Sequence, residues 1–274
     1  MLFFALCTSV STRRRAQIQS KSCASRREFL SFGLAVGPCI AFPGSLLAER
    51  DQLLPLEARL KTSDLKKPLS DPFPREPLVA EWMEGVWNVV VTKKAVQAPK
   101  GGKFLPDGYD LNRERSSIGK PLQYRLRFAQ RRDGSGVATD RTFNLTSMMN
   151  AYAGTELVNN VEWDPNGIRS VALFKNSPGA KSIQILNTSA TAAAKDRYLV
   201  EELFRNIFTN GNAGESPKTT DVETITLYRR SRDSRVEGSQ RIAVYLTPSS
   251  DGWSAEYDDT AVLISDFTLE MTRL

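Results

Sequence analysis

The chain contains no histidine, and its three cysteines, Cys7, Cys23 and Cys39, all fall near the N-terminus of the 274 residues. Without an imidazole there is no Ser-His-Asp triad, no Cys-His pair and no His-ligated haem or copper. With the cysteines confined to the first segment, the rest of the chain has no disulfide, thiol nucleophile, zinc site or iron–sulfur cluster. Chemistry built on carboxylates, Lys or Tyr survives these exclusions, as does oxygen-ligated Ca²⁺ or Mg²⁺. No run has the pattern of an EF-hand or a phosphate-binding loop.

Acidic residues are scarce at the start: the first is Glu28, preceded by Arg13, Arg14, Arg15, Lys21, Arg26 and Arg27 among many Ser and Thr. That composition is expected of a plastid transit peptide. SRREFLSFGLAVGPCIAFPGSLLA follows, with Arg26 and Arg27 ahead of Phe29, Leu30 and a weakly apolar stretch ending at Ala48. It resembles the twin-arginine signal, and implies cleavage after Ala48, with Leu46 at the minus-three position, and delivery to the chloroplast thylakoid lumen. One rival is a retained anchor, but Gly33, Gly37, Pro38, Pro43 and Gly44 raise the cost of a spanning helix. Another is a bacterial export signal, whose n-region needs less than the Arg/Ser-rich stretch present here.

The basic excess belongs mostly to this segment. All but six of the 37 basic and all but one of the 31 acidic residues lie in 49–274, which leaves that part within one charge of neutrality. Near-neutrality supplies no general drive toward nucleic acid. The expected partners are an apolar small molecule or a thylakoid membrane complex, with peripheral membrane contact and no transmembrane segment in the mature chain.

The domain plan read from composition is a bipartite address at 1–48, a helix and Pro-rich arm at 49–78 with Pro68, Pro72, Pro74 and Pro77, and one β-domain at 79–274. Period-two alternation dominates that domain, as in Leu122, Tyr124, Leu126 and Phe128, or Phe267, Leu269 and Met271. Ten segments carry the signal, of which about nine are expected to be strands: 85–92, 122–131, 137–143, 157–163, 168–174, 181–187, 198–206, 222–230, 236–247 and 260–272. Turn chemistry separates them at Asp133-Gly134, Asp164-Pro165-Asn166-Gly167, Pro178-Gly179 and 210–214. Residues 145–153 read as a short helix, while 196–208 fit both periods and are assigned to a strand. Many short antiparallel strands imply an all-β fold, a closed barrel or a sandwich; a single antiparallel β-barrel is the architecture expected, since closure removes exposed edges.

Gly85-Val86-Trp87 on the first strand and Arg273 on the last resemble the lipocalin-like pattern, in which the Trp closes one end of the barrel and the Arg lies over its ring. The resemblance implies a lipocalin-like barrel with Gly85, Trp87 and Arg273 as structural closure, and a mouth at the other end over which 98–121 would form a lid. A wider resemblance, to an uncharacterised domain family of cyanobacteria and plastid-bearing eukaryotes, runs from about Glu81 to the C-terminus. It is carried by EGVWNV (84–89), NRERSSIGKPLQYRLRF (112–128), ATDRTFNLTSMMNAY (138–152) and VETITLY (222–228). It implies a photosynthetic lineage and no transferable activity.

No residue is assigned a catalytic role, a metal or a cofactor. Asp140 and Arg141 are the polar pair to test, as a cross-strand ion pair or as a contact at a cavity mouth. The basic run Arg229–Arg235 reads as a solvated hairpin tip or as a surface for anionic lipid. Glu201 and Glu202 should point to opposite faces of a strand, so they do not form a general acid/base pair. Trp82, Trp87, Trp163 and Trp253 either fill the core or line a cavity. The functional expectation is a non-catalytic binding or assembly module for an apolar ligand such as a lipid or pigment, or for a photosynthetic complex. The alternatives are an interaction factor with a filled core and a docking arm, and an enzyme using carboxylate, Lys or Tyr chemistry.

Overall fold

In a computed structural model, residues 56–106, 109–164, 167–210, 216–231, 235–250, 253 and 258–274 are described, and side chains 191–194 are not. The expected address, with Arg26, Arg27, Phe29, Leu30 and Ala48, lies outside the described residues.

The period-two segments form ten antiparallel strands: β1 Gly85–Gln97, β2 Pro121–Gln130, β3 Val137–Thr139, β4 Val158–Trp163, β5 Arg169–Phe174, β6 Ala180–Ala194, β7 Arg197–Thr209, β8 Lys218–Arg230, β9 Arg235–Tyr245 and β10 Leu263–Arg273. Among the described residues three α-helices accompany them: α1 Leu56–Arg59, α2 Leu111–Ser116 and α3 Arg141–Ala153. One sheet holds all ten strands in the order β3-β2-β1-β10-β9-β8-β7-β6-β5-β4. Strands β4 to β10 meander through successive antiparallel neighbours, and β10 then pairs with β1 from Trp87↔Arg273 to Gln97↔Ile264. The mostly antiparallel fold is as expected. The sheet differs from a closed barrel in being a curled half-barrel, because β3 and β4 are its two ends and do not pair.

Helix α3 spans that gap and supplies the missing hydrogen bonds from its side chains. Beyond the three pairs β2 makes with β3, Asn144 clamps Arg127, its Oδ1 accepting from the backbone N–H at 2.6 Å and its Nδ2 donating to the carbonyl at 3.1 Å. Ser147 Oγ accepts from Arg125 N–H at 2.9 Å, and Asn150 Oδ1 from Val158 N–H on β4 at 2.9 Å. Three polar side chains at helical spacing thus satisfy two sheet edges that would otherwise be open. The expected strand at 137–143 stops at Thr139 because Asp140 caps the helix, its carboxylate accepting from Phe143 N–H at 3.0 Å. Gly154, at φ 66°, ends the helix in the left-handed conformation.

Most of the apolar core lies inside the curl, on the alternating residues of β1, β2 and β10 and under Leu145 and Met149 of α3. A second cluster covers the outer face of β7 to β10, where Leu199, Leu203, Ile225 and Leu227 pack beneath Leu65, Leu56 and Leu60. The arm after α1 is a strap on its own sheet. Asp71 N–H donates to Leu186 O at 2.7 Å, Asn187 Nδ2 to Leu69 O at 3.0 Å, and Val79 bridges Val137 on the edge of β3.

Candidate functional site: a cavity inside the half-barrel

Where α3, β2 and β6 to β9 face one another, the interior leaves a cavity of about 180 Å³. Its apolar walls include Leu126 and Phe128 of β2, Leu145 and Met148 of α3, and Ile183 and Ile185 of β6, with Pro77 and Val79 of the strap on one side. Four of the seven tyrosines, Tyr124, Tyr152, Tyr198 and Tyr228, border the same space. Burial raises the pKa of each: Tyr124 well above its ordinary value, Tyr152 to about 12 with help from the Glu114 charge, and Tyr198 and Tyr228 also upward. All four phenols therefore stay neutral at physiological pH. Tyr198 and Tyr228 are cross-strand partners with stacked rings, 6.3 Å between centroids.

Charge enters at one place. Arg141, the first residue of α3, donates from Nε to Glu76 at 2.9 Å and from Nη2 to Glu202 at 2.6 Å, and its guanidinium lies 5.5 Å from the Trp163 ring centroid. Burial alone would lower the arginine's pKa, but the Glu202 and Glu76 carboxylates outweigh it and hold it above its ordinary value. Arg131 also reaches Glu76, at 3.4 Å, so two cations face two carboxylates. Two donors beside this cluster have no hydrogen-bond partner: Trp163 Nε1 and the Tyr198 hydroxyl, both buried and both lining the cavity.

Asp140 and Arg141 do not bond each other across strands. Asp140 faces Arg127, whose Nε donates to it at 2.7 Å, while Arg141 turns to the cavity. Glu202 lines the cavity, and Glu201 lies 3.8 Å from Arg59 on the outer face. The Arg273 guanidinium lies 5.0 Å from the Trp87 ring centroid, and Arg273 Nη2 donates to Trp82 O at 2.9 Å. Gly85 sits at φ +121°, a backbone conformation that favours glycine, and a Cβ there would meet Arg273 Nε only at ordinary contact distance, 3.6 Å. None of Gly85, Trp87 and Arg273 lines the cavity, nor does any described residue of 98–121. Of the four tryptophans only Trp163 borders the cavity; Trp87 is buried in the core and Trp253 is exposed. Composition gave no sign of the tyrosine set; the inward parity of Tyr124 with Leu126 and Phe128 is the one sequence signal that could have placed a member of it.

The profile of a domain of unknown function, DUF6816, matches residues 79–274. The chain belongs to that family. No curated protein and no solved structure matches it. The seam helix, the Trp87–Arg273 contact and every described cavity-lining residue except Pro77 fall within the DUF6816 domain, and Pro77 and Glu76 come from the strap that precedes it. Among the described residues, no group of three or more Asp or Glu side chains is placed to hold a metal ion, and no helix is long and apolar enough to cross a membrane.

Proposed function

We propose that the half-barrel is a binding module that holds one small, largely apolar molecule in the cavity between α3 and the sheet. The observation that carries this reading is the cavity itself, since protein interiors otherwise pack with few voids larger than a water. Its size sets the guest. An apolar cavity of about 150 Å³ accepts benzene, so the 180 Å³ here suits a single ring with a short substituent, or a short acyl chain. A carotenoid or a chlorophyll precursor is too large to be enclosed there. The lipocalin-like resemblance of Gly85, Trp87 and Arg273 supports the same reading, because barrels of that kind enclose apolar ligands. Against an enzyme, Glu202 is the one carboxylate among the described lining residues, and Arg141 already holds it.

Ligand-observed NMR of the full chain with toluene should show saturable, sub-millimolar binding. Val200→Phe fills the space from β7 and should abolish that binding while leaving the thermal midpoint unchanged or higher. Equal binding to both proteins would defeat the proposal.

We also propose that the module works in the thylakoid lumen, on the strength of Arg26-Arg27 and the broken apolar stretch behind it. Protein recovered from lumen should begin near Glu49; recovery from stroma with the first 48 residues attached would overturn the assignment.

A further inference from the structure

We infer that the ligand of this cavity is a neutral molecule carrying a carbonyl-type oxygen on its apolar body, an inference that rests on the binding role proposed above. Trp163 Nε1 and the Tyr198 hydroxyl are buried donors that line the cavity and have no hydrogen-bond partner. The Tyr198 residue is only 4% exposed, so bulk solvent does not reach its hydroxyl. A buried polar group left unpaired is costly, and the large majority of such groups in native proteins are paired. Two of them on the wall of one void are best explained by a guest that completes them.

The chemistry of these two groups narrows that guest. An indole N–H only donates, and a phenol whose pKa is raised by burial remains protonated and able to donate. Both therefore call for acceptor oxygen. A ketone, ester or quinone-type carbonyl has two lone pairs to offer, whereas a hydrocarbon offers nothing and a protonated amine has no lone pair left to accept with. The ion cluster decides the charge. Arg141 is the cation beside the cavity, and its charge is already met by the Glu76 and Glu202 carboxylates at 2.9 and 2.6 Å. Arg131 balances the second carboxylate. A carboxylate ligand such as a free fatty acid would enter beside two carboxylates whose charge already offsets these two cations, so the site favours a neutral guest over an anion.

Three single-ring probes of nearly equal size separate these alternatives by fluorine NMR on the full chain: para-fluoroacetophenone, para-fluoro-α-methylstyrene, in which a methylene replaces the carbonyl oxygen, and para-fluorobenzoate. The ketone should bind roughly tenfold tighter than the hydrocarbon, the value of one net buried hydrogen bond, and the anion should bind least. Tyr198→Phe and Trp163→Phe should each erase roughly threefold to tenfold of the ketone's affinity and leave the hydrocarbon's unchanged or improved. Tyr198→Phe removes an unpaired buried hydroxyl, so its thermal midpoint should hold or rise, which separates loss of binding from loss of fold. Equal affinity for ketone and hydrocarbon, unaltered in both variants, would overturn the carbonyl assignment and leave the cavity's binding role standing; it is also the result if water completes the two donors. Failure of all three probes to bind would remove the binding role and the carbonyl assignment with it. Tightest binding by the benzoate would replace the neutral ligand with an anion.

Discussion

Replacing Arg59 with methionine is expected to destabilise the protein by about 3–5 kcal/mol in urea denaturation, the cost of leaving a buried carboxylate without its counter-ion. Arg59 closes the four-residue helix α1, and its guanidinium enters the outer face of the sheet, donating from Nε and Nη2 to Glu223 Oε1 at 2.9 and 2.7 Å. Glu223 is fully buried, and its other oxygen accepts from the Tyr245 hydroxyl at 2.5 Å. Methionine keeps much of the arginine stem's packing, so the loss reports the charge. A single turn of helix does not persist alone, and Leu56 and Leu60 should therefore leave the outer cluster when the ion pair goes, seen as faster amide exchange in α1 and β8. Combining Arg59→Met with Glu223→Leu should recover most of the stability, since a buried pair replaced by apolar groups is often neutral.

The same cluster makes stability depend on pH. Burial, with the Glu223 charge behind it, pushes the Glu201 carboxyl up to about 8 from an ordinary 4.5. The folded protein then holds a proton that the unfolded chain releases near 4.5, so this group's contribution is greatest in acid and is lost as the pH rises toward about 8. Arg59 lowers that pKa, so in the Arg59→Met variant the loss of stability from this group should extend to higher pH. A Glu201→Gln protein, which keeps a donor for Glu223 without the titration, should have a flatter profile. A parallel profile in all three proteins would show that Glu201 is not the titrating group.

How far the sequence could be read depends on whether one face of a strand or both are buried. Phe267, Leu269 and Met271 alternate cleanly because Thr268 and Glu270 of β10 face outward. In β7 both faces are covered, so Leu199 and Leu203 belong to the outer cluster while Tyr198, Phe204 and Phe208 belong to the inner one. Their superposition is what made 196–208 fit a helical period as well as an alternating one. The helix at the seam was visible from 145 onward, but its start was not, because Asp140, Asn144, Ser147 and Asn150 read as ordinary polar residues until two strand edges are placed beside them. The strap was legible as Pro-rich and extended; that it is bound to β6 and β3 instead of projecting outward follows from backbone bonds that leave no mark in composition. Membership of an uncharacterised family was also legible, in stretches that now map to β1, β2, α3 and β8.

A comparable loss is expected at the start of the Gly/Pro-rich segment. On β1 the inward residues run Trp87, Val89, Val91 and then Lys93, which is 4% exposed and ion-paired with Glu114 of α2, itself 2% exposed. The ammonium also lies 5.6 Å from the Phe267 ring centroid. Lys93→Met leaves Glu114 buried and uncompensated, and should cost about 3–5 kcal/mol. Asp110 caps α2 with bonds to Asn112 and Arg113 N–H, but six residues make too short a helix to stand without its seat on β1. Limited proteolysis should therefore cut the Lys93→Met protein between 98 and 120 while the parent chain resists. Glu114→Leu with Lys93→Met removes both charges together and should restore resistance and most of the stability, because neither partner is then stranded. If the double variant is as unstable as the single, packing of the lysine stem against Phe267, and not the ion pair, is what holds α2 to the sheet.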